Sequence, residues 1–303
     1  MKRTTVFTCS IYPDLTRVWY HFVRRYTDAS DVETVIYDCG SRLEQGHFPD
    51  ARIVTHPNTD HGTKIDHFVR TSAATPFVFL LDDDVFFLSD RTEPDATASL
   101  AVDPRAAVFS YKPRLWWEFD IDGCRHPVMG SYALVFKPQV FRDEELSFCT
   151  RKTSDTKIRN GEGYYDTADY ANEQLIRRGY AIRVADDSDR RSKLRSYSAV
   201  SSGFVNFARR RLMSRRYRLT RSRSEWERRI ASTPRVLEWA CGVAAAAGLY
   251  RALFYEAPQF DDFFGYDDLL GIAAAITDDE ARDTANRTIA GYRELLETLR
   301  RAA

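Results

Sequence analysis

Eleven residues, Phe77 to Phe87 (FVFLLDDDVFF), constrain this chain more than any others. Phe77–Leu81 is apolar without a break, the pattern of a strand covered on both faces, as in a parallel sheet between helices. Three carboxylates follow at once, and then three apolar residues. Like charges so close repel unless a cation or hydrogen-bond donors compensate. The carboxyl ends of strands are also where open α/β sheets bind ligands. In an extended chain Asp82 and Asp84 project to one side and Asp83 to the other. A hard divalent cation held by one or two carboxylates and completed by substrate phosphates satisfies such a group. Asp82 and Asp84 are therefore candidate ligands for Mn2+ or Mg2+, and Asp83 a candidate substrate contact. The plainer reading is a solvated acidic loop.

The elements around this segment predict the class. Thr5–Cys9, Glu33–Tyr37, Ala51–Thr55 and Ala106–Ser110 read as strands, as do Ser131–Phe136 and Tyr180–Val184. Asp14 is placed to cap a helix whose apolar residues Leu15, Val18, Trp19, Phe22, Val23 and Tyr26 share one face. Thr63–Ala73 and Asp166–Gly179 complete the helices of this half. Alternation of this kind predicts an α/β fold, a Rossmann-type mixed sheet flanked by helices, over 1–205. Strand signals then stop. Ser224 with Glu227, and Thr277 with Glu280, have capping-box spacing, and Thr233-Pro234 opens a third helix. Residues 206–303 are expected to form a helical C-terminal region.

Charge and cysteine content narrow the function. Lys plus Arg and Asp plus Glu both number 44 in 303 residues, so a chain-wide nucleic-acid coat is not expected. The sign is sorted locally: 209–229 carry ten arginines against Glu225 and Glu227, while 236–303 carry twelve acids against six arginines. The basic segment suits an anionic polymer such as DNA, or a lipid surface; a solvated face is the simpler alternative. The apolar run Trp239–Tyr250 is bounded by Glu238 and Arg251 at twelve residues, which predicts a packed helix and no transmembrane segment. The start Met1–Phe7 lacks a signal-peptide pattern. Five scattered cysteines with no CxxC spacing suggest reduced thiols. The expected location is cytoplasmic, with peripheral membrane attachment through the arginines left open.

The triplet Asp82-Asp83-Asp84 resembles the DxD motif of nucleotide-sugar-dependent glycosyltransferases with the GT-A fold. Further segments resemble that family in order. Ser10-Ile11-Tyr12 follows the first strand, where the family holds the nucleobase. Asp38 follows the second strand, where an acid contacts base or ribose. His61-Gly62-Thr63-Lys64-Ile65-Asp66 resembles a nucleotide-lining segment, although Lys64 and Asp66 at i, i+2 cannot share a helix face. Met129–Phe136 resembles the Gly-led strand beside the donor sugar. Tyr165-Asp166-Thr167-Ala168-Asp169 resembles the helix start that carries the catalytic carboxylate of inverting members.

The resemblance covers about residues 4–187. It implies a metal-dependent transferase moving a sugar from a nucleoside-diphosphate sugar, UDP ahead of GDP or dTDP, to an acceptor hydroxyl, with inversion. Ser10, Tyr12, Asp38, Lys64, Asp66 and Asp83 become candidate donor contacts. Asp166 is the candidate base, with Asp169 as its competitor. The family's further metal-ligating histidine after the catalytic helix has no counterpart, since the last histidine is His126; Asp186, Asp187 or a residue of 196–202 are the substitutes. Trp116-Trp117 would suit a sugar platform or subdomain packing. Three rivals remain: a nucleotidyltransferase, disfavoured because Ser10–Asp14 lacks glycine and lysine; a nucleic-acid-binding protein using 209–229; and a glycosyltransferase acting on modified DNA.

Overall fold

The computed structural model describes residues 2–112, 119–152, 164–197, 200, 223–258 and 264–303. These divide into two compact units, Met1–Pro13 with Val23–Leu194, and Asp14–Phe22 with Arg195–Ala303.

The first unit is built on a seven-stranded sheet. The chain runs through β1 (Thr4–Ser10), α1 (Pro13–Tyr26, of which Asp14–Phe22 belong to the second unit), β2 (Val32–Asp38), β3 (Ala51–Thr55), α2 (His61–Thr71), β4 (Phe77–Leu81) and β5 (Val85–Phe87). Then come α3 (Thr92–Ala101), β6 (Ala106–Ser110), the hairpin β7 (Phe119–Ile121) and β8 (Cys124–His126), β9 (Ala133–Phe136) and α4 (Pro138–Asp143). The short pair β10 (Arg151–Lys152) and β11 (Tyr164–Tyr165) precedes α5 (Asp169–Arg177), β12 (Ala181–Val184) and α6 (Asp187–Lys193). The spatial order is β12-β6-β9-β4-β1-β2-β3.

Register places the chemistry. β1 and β2 are parallel, with Ser10 opposite Asp38. β1 and β4 are parallel, with Phe7 opposite Leu80. β9 runs antiparallel to both β4 and β6. The chain leaves β1 toward β2 and β3 on one side and returns through α2 to β4 on the other. That reversal creates a crevice at the carboxyl ends of β1 and β4, where open α/β sheets bind ligands.

The apolar runs explain the strands. All five residues of β4 are buried, as a central strand between two helical layers requires. One core layer joins Phe7, Tyr37, Phe68, Leu80, Leu134 and Phe148, and the rings of Phe7 and Phe68 stack at 3.9 Å. On α1, Leu15, Val18, Trp19, Phe22 and Val23 are buried, as their spacing predicts.

Several boundaries moved. α1 starts at Pro13, with Tyr12 as N-cap and Asp14 in the first turn; proline fits there because it lacks the N–H that the first turn leaves unpaired. α2 starts at His61, where the Asp60 side chain accepts from the Thr63 N–H. The helix expected from Asp166 begins at Asp169 instead. The β7–β8 hairpin turns through Asp122 and Gly123, both at positive φ, a two-residue turn that suits Asp-Gly. The short elements β5, α3, α4 and α6 carry too few patterned residues to stand out in the sequence.

In the second unit the described helices after residue 200 are Arg223–Ser232, Pro234–Phe254, Tyr266–Ala274 and Asp279–Ala302. The last is capped by Asp278, accepting from the Ala281 N–H, and not by Thr277. Pro234–Phe254 is 21 residues long, beyond the twelve of its apolar run. By length and composition it could cross a membrane, and 67% of its apolar window is buried. Arg17 bonds Tyr250 Oη at 2.6 Å and Glu256 at 2.9 Å, with its guanidinium 4.3 Å from the Phe254 ring centroid. Of the 209–229 segment, 209–222 lie outside the described residues. Arg223 pairs with Glu227 and Asp268, and Arg229 lies over Trp226.

Candidate functional site

The acidic triplet is a turn and not an extended strand end. The Val85 N–H donates to the Asp82 carbonyl at 3.0 Å, and the Asp82 N–H donates to the Tyr132 carbonyl at 3.1 Å. Closing the turn abolishes the simple alternation of side chains expected for extended backbone. Asp83 is buried and accepts a hydrogen bond from the Ser10 hydroxyl. The Ser10 oxygen in turn accepts from the Tyr12 N–H at 3.1 Å. This pair spans the crevice from β1 to the end of β4.

Asp82 and Asp84 are half-buried. Burial raises both carboxyls well above the usual carboxylate range, and neighbouring carboxylates add to it: Asp83 for Asp82, and Asp82 and Asp83 for Asp84. Lys112 opposes the rise at both, and Lys64 at Asp82. These are oxygen donors, crowded and short of positive charge, so the residues fit a hard divalent cation that takes its remaining ligands from substrate and water. Among the described residues no set of three or more His, Cys, Asp or Glu side chains forms a metal cage.

His61, the first residue of α2, places Nε2 3.4 Å from Asp82 Oδ1 and 3.3 Å from the Ser131 carbonyl. Burial lowers its pKa and favours the neutral ring. Gly62 permits the approach that follows: a Cβ there would lie 2.3 Å from the Phe148 carbonyl oxygen. Gly130 is as restricted, since a Cβ would lie 2.3 Å from the Lys112 carbonyl oxygen.

The expected donor contacts separate into two groups. Lys64 lies where its charge acts on Asp82, with Nζ 3.3 Å from Asn58 Oδ1. Asp66 points elsewhere: it accepts from Ser147 Oγ at 2.6 Å and the Phe148 N–H at 2.8 Å, and so holds the loop before β10. Asp38 accepts from the N–H groups of Gly40, Arg42 and Leu43 at 2.8–3.0 Å, which ties down its own loop. Tyr12 is 3% exposed. Asp38 and Asp66 are thus committed to hydrogen bonds within the protein. Two of the substitutes for a third metal ligand are otherwise engaged: Asp186 caps α6 through the Asp189 N–H at 2.7 Å, and Asp187 pairs with Arg190 at 2.8 Å; of the third, 196–202, residues 198, 199, 201 and 202 lie outside the described residues.

Asp166 and Asp169 take different roles. Asp169 is fully buried and accepts from the Asp166 N–H at 2.6 Å. Asp166 is half-buried and accepts from the Thr167 N–H at 2.8 Å. The N-cap between Asp166 and the helix, which Asp169 opens, is Ala168 at φ +73°, a left-handed conformation that costs a non-glycine residue ~1–3 kcal/mol. The Ala168 N–H donates to the Phe148 carbonyl at 3.1 Å, the same oxygen that Gly62 approaches. Asn172 on α5 clamps Met129 through both its N–H and its carbonyl, at 2.9 and 3.2 Å. The Asp166 turn is thus tied to the start of α2 and to the strand entering β9, both of which border the Asp82 turn.

The sequence reading passed over Lys112, whose Nζ lies 4.7 Å from the ring centroid of Tyr132 in the Met129–Phe136 segment. A signal was available, because Lys112 is the second residue past the carboxyl end of β6, on the edge that carries Asp82. Trp116-Trp117 lie outside the described residues.

No protein-family model matches the chain, and no curated protein matches it. Among solved structures it is similar to a mannosyltransferase from Pyrobaculum calidifontis in complex with GDP-mannose and Mn2+, at 14% identity and a TM-score of 0.44, covering 98% of this chain and 79% of that one. It is similar to S. aureus TarS 1-349 at 12% identity and a TM-score of 0.42, covering 99% and 92%. A CMP-2-keto-3-deoxy-manno-octonic acid synthetase matches at 10% identity and a TM-score of 0.41, over 61% of this chain and 89% of that one.

Proposed function

We propose that this protein is a metal-dependent glycosyltransferase of GT-A type, moving a sugar from a nucleoside-diphosphate sugar to an acceptor hydroxyl with inversion. The observation that carries the reading is the acidic turn at the carboxyl end of β4, beside the end of β1. There the Asp82–Asp84 turn is held by Ser10, His61 and the Tyr132 carbonyl, and the half-buried Asp166 is anchored to the same surrounding segments. UDP is the favoured nucleotide, with GDP and dTDP as alternatives.

Asp82 and Asp84 would hold Mn2+ or Mg2+. When bound, the cation supplies Lewis-acid stabilisation of charge on the departing diphosphate. Asp83, locked by Ser10, keeps the turn in one conformation. His61 keeps the Asp82 carboxylate oriented. Asp166 accepts the proton of the acceptor hydroxyl as its oxygen bonds to the anomeric carbon, and the bond to the diphosphate oxygen breaks. The Thr167 N–H, donating to Asp166 Oδ1, fixes the orientation of this carboxylate.

The test is a panel of UDP-, GDP- and dTDP-sugars incubated with the full chain and Mn2+, with nucleoside diphosphate release measured with and without EDTA. Release from one donor class, abolished by chelator, is the expected result. No release from any donor overturns the reading. Pyrophosphate release from a nucleoside triphosphate and a sugar phosphate would move the protein to the nucleotidyltransferases.

A further inference from the structure

Two histidines meet at the edge of the sheet, apart from the acidic turn. β3 is the edge strand and pairs in parallel with β2. The pairing runs one residue past β3, because the His56 N–H donates to the Asp38 carbonyl at 3.1 Å. The His56 ring stacks on Tyr37 of β2, with centroids 4.8 Å apart and planes at 15°. His67, on α2, lies on the other side of the pair: its ring centroid is 4.8 Å from that of His56, with planes at 60°. Tyr37 is fully buried, and Phe7 packs edge-on against it at 4.9 Å. The core therefore holds both imidazoles, while His56 is half-buried and His67 exposed.

Each ring has its Nδ1 engaged within the protein. His56 Nδ1 lies 2.8 Å from the Pro57 carbonyl. A carbonyl only accepts, so Nδ1 carries the proton and Nε2 of the neutral ring keeps its lone pair. His67 Nδ1 lies 2.9 Å from Tyr37 Oη, and a phenol accepts as well as donates. A metal on His67 Nε2 requires the tautomer whose Nδ1–H donates to Tyr37. Metal-ligating histidines are oriented in this way, by an acceptor on the other ring nitrogen. Two imidazoles that share one ion at ~2.0–2.1 Å from each nitrogen have ring centres about 5 Å apart. The separation of His56 and His67 agrees with that spacing.

We infer that His56 and His67 bind one divalent transition-metal ion of the Zn2+, Ni2+ or Cu2+ class through their Nε2 atoms. Imidazole suits these ions, and carboxylate suits Mn2+ and Mg2+, so this pair and the acidic turn select different metals. Among the described residues no set of three or more His, Cys, Asp or Glu side chains forms a metal cage, and water completes the coordination. The ion ties α2 to the chain leaving β3 and stabilises the folded state by linkage. The site is independent of the transferase chemistry.

The test is a titration of the full chain with Zn2+ alone, followed by long-range 1H–15N spectra of its six histidines. Two rings are expected to shift at Nε2 and to keep the proton on Nδ1. Spectra of His56→Gln and His67→Gln assign those rings, and calorimetry on each variant should show Zn2+ binding weakened by more than about 10-fold, since even the loss of an orienting partner costs that much. Tyr37→Phe keeps both imidazoles and removes the acceptor for His67, so both Nε2 shifts should persist with Zn2+ bound about 10-fold more weakly. Excess Mg2+ should leave the two shifts unchanged. Zn2+ should raise the melting temperature of wild type and not of either Gln variant. A shift of one ring or none, a shift of rings other than His56 and His67, or undiminished Zn2+ affinity in either Gln variant overturns the inference. Melting curves without metal identify any loss of fold, and the other Gln variant and Tyr37→Phe then supply the comparison.

Discussion

Two acidic turns, Asp82–Asp84 and Asp166–Asp169, divide their carboxylates in the same way. In each, one carboxylate is buried and spent on the protein: Asp83 on Ser10, and Asp169 on the Asp166 N–H. In each, the others are half-buried: Asp82 and Asp84 in the first, Asp166 in the second. The turns differ in field. Around Asp84, burial and like charge both raise the carboxyl. Asp166 stands in a turn whose backbone N–H groups meet carboxylate oxygens. Crowding suits a carboxylate that awaits a cation. Burial, more than position within a motif, separates the carboxylates committed to the protein from those proposed to act on substrate.

The comparison breaks most visibly at Asp166. Asp166→Asn keeps an oxygen for the Thr167 N–H and loses the proton acceptor, so transfer should fall by ~10²–10⁴ with donor affinity nearly unchanged. Steady-state kinetics beside donor binding separate the two quantities. Normal transfer by this variant, with loss in Asp169→Asn, would move the base three residues along.

Asp84→Asn is expected to cost about 10²–10³ in rate, the scale for removing one group that stabilises developing charge. Its stability should respond in the opposite direction. The carboxyl is raised in the fold, so ionising it opposes folding, and a neutral amide removes that cost. A melting temperature in EDTA equal to or above wild type is the expected sign. A large drop would make Asp84 a brace like Asp83.

The smallest effect is at Asp169. Asp169→Ala removes a buried acceptor for the Asp166 N–H at the start of α5 and should lower stability by about 1 kcal/mol, reaching ~2 where the site is buried. Denaturant unfolding measures it. Activity should follow only as far as the Asp166 turn loosens.

The sequence by itself determined the strands of the sheet and the edge that carries chemistry. Phe77–Leu81, Ala51–Thr55 and Ala106–Ser110 are strands with the boundaries read from their apolar runs. A strand's burial is written in consecutive residues, and so is the acidic triplet that ends β4. What the sequence left open was the use of each polar group, because a carboxylate's role depends on which donors reach it. Asp66 meets Ser147, 81 residues away, and Asp83 meets Ser10, 73 residues away. No local spacing encodes those partners. The same applies to the start of α5, where the Phe148 carbonyl and the buried Asp169 stabilise Ala168 at positive φ and delay the helix by three residues. Lys112 is a further case: β9 lies between β4 and β6 and runs antiparallel to both, which puts the carboxyl end of β6 on the same sheet edge as the acidic turn.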